Sequence, residues 1–140
     1  MENMKKIEWA LRVAIFGTFL GHGAFALLGK ESWLGWIMDF TGFSPELAAK
    51  ALLAVGIIDV AVAFIILIRP VRIIVLWAIL WTSWTAIMRI LPVIGDPIWE
   101  FFEKIIAPAS SLALLFVLGV PKNFKDWFCT RDSKKTEEVN

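Results

Sequence analysis

Tyrosine is absent from this chain, and cysteine and histidine occur once each, as Cys129 and His22. A lone cysteine excludes an intrachain disulfide and any thiol–disulfide redox pair. A lone histidine means that the chain by itself cannot furnish a two-histidine haem or a histidine-rich metal site, and no metal centre is expected. Charge is sparse too, at 19% of residues, with 14 Lys and Arg against 13 Asp and Glu and a net charge of +1. The basic residues are scattered, so no face suits nucleic acid. No cofactor-binding motif is present.

What remains is apolar. Of 140 residues, 59% are hydrophobic, with eight Trp and eleven Phe, and the mean hydropathy is +0.72. A soluble domain of this size has too little interior to hide so much apolar surface. Lipid is therefore the expected second solvent, and Trp is common at headgroup depth. The expected fold class is all-α, a polytopic membrane four-helix bundle. It comprises a transmembrane domain over residues 1–120 and a cytoplasmic tail over 121–140. Spans are expected at about 7–28, 47–68, 71–91 and 98–120, each near the ~20 residues a helix needs to cross the hydrocarbon. The first run follows a basic flank but lacks a small-x-small cleavage site, so it is expected to stay in the bilayer rather than act as a leader.

Helix signals mark the boundaries. Ser44-Pro45-Glu46 sets a hydroxyl cap before a first-turn proline, Asp96-Pro97 repeats the device with a carboxylate, and Arg69-Pro70 predicts a tight turn. Lys5, Lys6, Arg12, Arg69, Arg72, Lys122, Lys125, Arg131, Lys134 and Lys135 fall on one side of such a bundle. Only Lys30, Lys50, Arg89 and Lys104 fall on the other. That asymmetry predicts cytoplasmic N- and C-termini in a cell (inner) membrane. The connection 29–45, rich in Trp and Phe, reads either as a segment lying in the outer interface or as a lid over a pocket. Phe124, Trp127 and Phe128, at helical spacing, predict a tail that rests on the inner surface.

Ionisable groups at membrane depth need a partner or a purpose. At 1.5 Å per residue, Asp59 lies ~15 Å in, near the midplane, and His22 ~20 Å in, within the outer half. Asp59 is the leading candidate for chemistry. At that depth it either carries its proton or pairs with a cation, and Thr18, Thr82, Ser83, Thr85, Ser110 and Ser111 are expected to share its layer. An outer polar cluster of His22, Arg89, Glu100 and Glu103 is the candidate binding site. Each member also has a structural reading. His22 can be a hydrogen-bonded packing residue, Arg89 an interfacial anchor, and Glu100 with Lys104 an i, i+4 pair. Arg12 and Arg72 are expected to snorkel to lipid phosphates. Gly17-x-x-x-Gly21, extended by Gly23, predicts a close helix approach. The Trp77, Trp81, Trp84 stripe is expected to face lipid or a neighbouring helix rather than a ring-shaped ligand. Pro108 should kink the last span, with Ser110 and Ser111 compensating its freed carbonyl.

Taken in order, these residues resemble the DoxX-like family of small four-helix membrane proteins. The features are Arg12, Gly17, Phe19 and Gly21-His22-Gly23, then Gly56-Ile57-Ile58-Asp59 and Arg69-Pro70-Val71-Arg72. Trp77 to Trp84, Arg89, the Glu100–Glu103 start and Ala107-Pro108 complete the series. Order and spacing over most of residues 8–120 carry the resemblance. Two departures, Asp59 where relatives have Glu and a Lys30 further from the glycines, place the chain in a side branch. The resemblance implies an accessory subunit of a quinone-linked membrane oxidoreductase, with quinone as the guest and a partner subunit supplying electrons. A scaffold or assembly protein without chemistry stays open, as does a small proton-coupled transporter acting as a homo-oligomer. Enzymatic activity of the chain itself is left undecided at this stage.

Overall fold

A computed structural model describes residues 2–130, and the last ten residues of the expected tail, with Arg131, Lys134 and Lys135, lie outside the described residues. The described chain is all-α. Its helices are α1 (Glu2–Leu27), α2 (Glu31–Thr41), α3 (Pro45–Ile68), α4 (Arg72–Met88), α5 (Ile98–Lys104) and α6 (Ile106–Leu118), followed by a short 3₁₀ turn, η1 (Phe124–Phe128). Three helical runs are long and apolar enough to cross a membrane: α1, α3 and the Ile98–Leu118 run made by α5 and α6. The apolar α4 is shorter, at 17 residues, because the chain turns out of helix beyond Met88, short of the expected end at Leu91.

Local chemistry sets these limits. Ser44 caps α3 as expected, its Oγ accepting the Leu47 N–H at 3.4 Å, with Pro45 in the first turn. Asp96 does not cap α5; its carboxylate is drawn to Arg89 instead, at 2.6 Å. The last run breaks at Ile105 because Pro108 has no N–H for the Lys104 carbonyl four residues back. The expected compensation by serines does not occur. Ser110 and Ser111 donate to the Ile106 and Ala107 carbonyls of their own helix.

α1 packs along α3, α4 along α6, and α1 with α6 and α3 with α4 close the ring. Its centre holds Ile15, Phe19, Val62, Ala63, Ile66, Val75, Ala78, Leu114, Leu115 and Leu118. The closest approach is not at Gly17 and Gly21, which face outward with nothing within 4 Å of an added Cβ. It is at Gly23 and Gly56. A Cβ on Gly23 would stand 2.8 Å from Val60, and one on Gly56 2.9 Å from Leu27, so only glycine lets these helices cross here.

The two arginines expected to reach lipid phosphates are instead inside, Arg12 7% and Arg72 0% exposed. The last carbonyls of a helix have no partner within it and carry partial negative charge. Pro70 removes the N–H that would have answered the Ile66 carbonyl. Arg12 fills the gap, donating to Ile66 O at 3.1 Å, to Ile68 O at 2.8 Å and to Leu67 O between them. Arg72 does the same for α6, donating to Leu118 O at 2.6 Å, and reaches Asp126 O of η1 at 3.1 Å. The Asp126 carboxylate accepts the Asn123 and Lys122 N–H groups, which hold it below the usual carboxylate range and brace the turn.

These matching caps expose a twofold internal pattern. Arg12, Ile15 and Ala26 of α1 recur at one fixed offset as Arg72, Val75 and Ala86 of α4. Asp59, Val62, Ala63 and Ile66 of α3 recur at another as Ser111, Leu114, Leu115 and Leu118 of α6, all of them buried. The fold is two halves, α1 with α3 and α4 with the α5–α6 run, and α2 lies in the connection of the first half, where the second half has the non-helical stretch 89–97. In this register the position of Asp59 in the first half is taken by a serine in the second.

Candidate functional site

Asp59 is 2% exposed on α3, facing α4. The Trp81 indole of α4 stands within hydrogen-bonding reach of its carboxyl as a donor, while Oδ1 has no hydrogen-bond partner among the described residues. The expected layer of hydroxyls does not gather around it. Thr18, Thr82, Thr85, Ser110 and Ser111 each donate to a carbonyl three or four residues back. Such a bond is local and needs no second helix, so it wins over a shared network. Of the six, only Thr85 lines the same space as Asp59.

That space is a cavity of ≈130 Å³ between α2, α3 and α4, with His22 of α1 and Lys104 of α5 completing the wall. Leu52, Val55, Trp81 and Met88 form its sides. Trp33, Trp36 and Ile37 of α2 form the roof. Gly29 and Gly42, at φ 69° and 71°, turn the chain sharply at either end of α2 and so bring it back over the bundle. Within segment 29–45, α2 covers the cavity.

The roof is held by aromatic contacts. Trp33 stands edge-on to His22 at 5.6 Å and stacks on Trp36 at 6.5 Å. The Lys30 ammonium lies 4.9 Å above the Trp33 ring, and the Arg89 guanidinium 4.6 Å from the Trp36 ring. Trp33 Nε1 is buried with no partner among the described residues. The Trp stripe divides. Trp77 and Trp84 are outward, as expected, whereas Trp81 stacks on Trp77 at 5.7 Å and turns its other face to the cavity.

The outer polar cluster forms with altered membership. Arg89 pairs with Asp96 at 2.6 Å and more distantly with Glu100 at 3.8 Å. Glu103, its side chain 71% exposed, stays at the rim and meets only Lys104, at 3.9 Å. Lys104 thus pairs with its neighbour rather than with Glu100. Arg89 and Lys104 line the cavity together with His22. Among the described residues no three His, Cys, Asp or Glu converge as metal ligands. Sequence reasoning missed Lys104 and Asp96 as members of the site, and offered Trp33 and Trp36 only as part of a segment that could be a lid. The signal for Lys104 was Pro108, four residues on, which breaks the helix there. The signal for the tryptophans was the pair of glycines around α2. Compared with protein-family models, with curated proteins and with solved structures, the chain matches none.

Proposed function

We propose that the chain is a multi-pass membrane protein of DoxX-like type, crossing the bilayer four times with both termini cytoplasmic. In this reading α1, α3, α4 and the α5–α6 run form the bundle, and the cavity beneath α2 takes the ring of a quinone. The protein then serves as an accessory subunit of a quinone-linked oxidoreductase. The observation that carries the reading is the pair of buried polar atoms without hydrogen-bond partners among the described residues, Asp59 Oδ1 and Trp33 Nε1, on residues lining one aromatic cavity. Buried polar groups in proteins are nearly always hydrogen-bonded, so two orphans in one cavity call for a guest with polar atoms at separate points. The size agrees: ≈130 Å³ is near the ~150 Å³ that admits a benzene-sized ring. A quinone ring carries two opposed oxygens on an apolar body, and its isoprenoid tail suits a lipid-facing opening.

Quinone reduction consumes two electrons and two protons. Electrons come from the cofactor of a partner subunit, and this chain's part is positional and protonic. Trp33 Nε1 offers a hydrogen bond to one ring oxygen, and Asp59 and His22 are the groups placed to pass protons. A scaffold role is the second reading, favoured by Arg12 and Arg72, which tie one helix end to the next without any guest. Mass spectrometry of protein extracted gently with its lipids separates the two. A quinone retained by the wild type and lost on Trp81→Ala is the expected result. A stoichiometric protein partner with no quinone would overturn the redox reading in favour of assembly.

A further inference from the structure

A second cavity, of ≈190 Å³, opens at the end of the molecule remote from α2, between α1, the α3–α4 turn and the end of α6. Its polar lining comprises Glu8, Arg12, Arg69 and Thr130, with Ile68 as an apolar wall. The two arginines differ in what they have left to offer. Arg12 is committed, its donors spent on the α3 carbonyls and on Glu8 at 3.4 Å. The Arg69 side chain has no ion pair or hydrogen bond among the described residues. One guanidinium, Arg12, therefore answers both a carboxylate and a helix C-terminus carrying about half a negative charge. That leaves residual negative charge at Glu8, while Arg69, at the opposite lip, has no counter-charge among the described residues.

We propose that this cavity binds an amine-bearing phosphate headgroup, with the phosphate on Arg69 and Thr130 and the ammonium on Glu8. Phosphoethanolamine is the simplest such group, and the charges of both signs in the lining match its zwitterion. Basic pockets between helices on the cytoplasmic side of membrane proteins hold lipid headgroups, and here the added carboxylate selects for an amine. The surroundings favour a lipid as the source. Trp9, stacked on Arg12 at 4.2 Å, and Ile68, Phe124 and Phe128 are all exposed at this end, offering acyl chains an apolar path. The inference rests on the membrane reading above but not on the quinone.

The test is retention of lipid by purified protein equilibrated with equal amounts of phosphatidylethanolamine, phosphatidylglycerol and phosphatidylcholine of the same chains, read by native mass spectrometry. The wild type should retain phosphatidylethanolamine over both others. Arg69→Gln, at an exposed residue without side-chain partners among the described residues, should lower retention roughly two- to fivefold, the effect of one partly exposed charge pair. Glu8→Gln keeps an acceptor for Arg12 and should remove the preference over phosphatidylcholine while leaving total binding in place. Competition by soluble phosphoethanolamine at millimolar concentration would identify a free phosphate monoester as the natural source, and its failure to compete would identify the lipid. Equal retention of the three lipids, a preference for phosphatidylglycerol, or indifference to both substitutions would overturn the proposal. None of these results bears on quinone retention at the other cavity, so the two readings fail separately.

Discussion

Asp59 is the residue at which stability and function are expected to part. A buried polar atom left without a hydrogen bond costs ~1–3 kcal/mol, and Oδ1 is such an atom among the described residues. The hydroxyls that sequence reasoning gathered around it are satisfied within their own helices, so removing the carboxyl strands none of them. Asp59→Leu is therefore expected to fold with a melting temperature equal to or above that of the wild type, contrary to the loss that a shared hydroxyl network would bring. Asp59→Asn keeps the shape and should fold equally well. If Asp59 passes protons to a bound quinone, both variants should lose quinone-linked turnover while Asn retains quinone in native mass spectra. Stability lowered by more than ~2 kcal/mol in Asp59→Leu would show that the carboxyl's contact with Trp81 is structural, and the proton role would lose its basis.

Among the elements, the broken α5–α6 run is the clearest case of a local fault that places a side chain in the cavity wall. Pro108 ends α5 at Lys104, and the break leaves Lys104 lining the cavity beside His22 and Arg89. A proline inside a helix costs ~3 kcal/mol or more relative to an ordinary residue. Pro108→Ala should let α5 and α6 join and raise the melting temperature, yet lower quinone retention as Lys104 is carried round with the straightened helix. A more stable protein with undiminished retention would mean that Lys104 does not help form the site. The proline, the capped start of α3 and the Arg69-Pro70 turn were legible because each is a chemical fault or signal in the chain itself. Which way each helix turns was less legible. In a helix whose outer face also meets apolar surroundings, hydrophobic residues lie all round, and periodicity no longer marks the inside. Gly17 and Gly21 looked like the crossing point, but Gly23 and Gly56 are the crossing point. Only polar residues kept the information, which is why Asp59 was placed inside correctly. Arg12 and Arg72 were misread because their partners, carbonyls freed at other helices' ends, have no sequence signature of their own. The halves were hidden for a related reason: the repeat lies mainly in burial and capping, with few identities beyond the two arginines, such as Ala26 with Ala86 and Pro45 with Pro97.

For the whole molecule, the deciding element is α4. Its 17 residues extend ~25 Å at 1.5 Å per residue, a turn or so short of a ~30 Å hydrocarbon layer. The apolar turns that follow, with Ile90, Leu91, Val93 and Ile94, carry the chain onward before Pro97 starts α5. The twofold pattern gives an independent reason for α4 to cross, since it occupies in the second half the place that α1 holds in the first, down to the arginine that caps the next long helix. An even number of crossings puts both ends on one side, and three crossings put them on opposite sides. Cys129 is the sole thiol and is exposed, so it reports the C-terminal side directly. Asn3→Cys in a Cys129→Ser background reports the other end. With four crossings and the Lys and Arg asymmetry as found, a membrane-impermeant maleimide should label neither site in intact spheroplasts and both once the membrane is opened. Labelling of one site alone would mean that α4 does not cross, and the pairing of halves would describe packing without topology. Labelling of both in sealed spheroplasts would invert the molecule. The cavity beneath α2 would then face the cytoplasm, and the headgroup cavity, with Arg12 and Arg69, would face the outer leaflet.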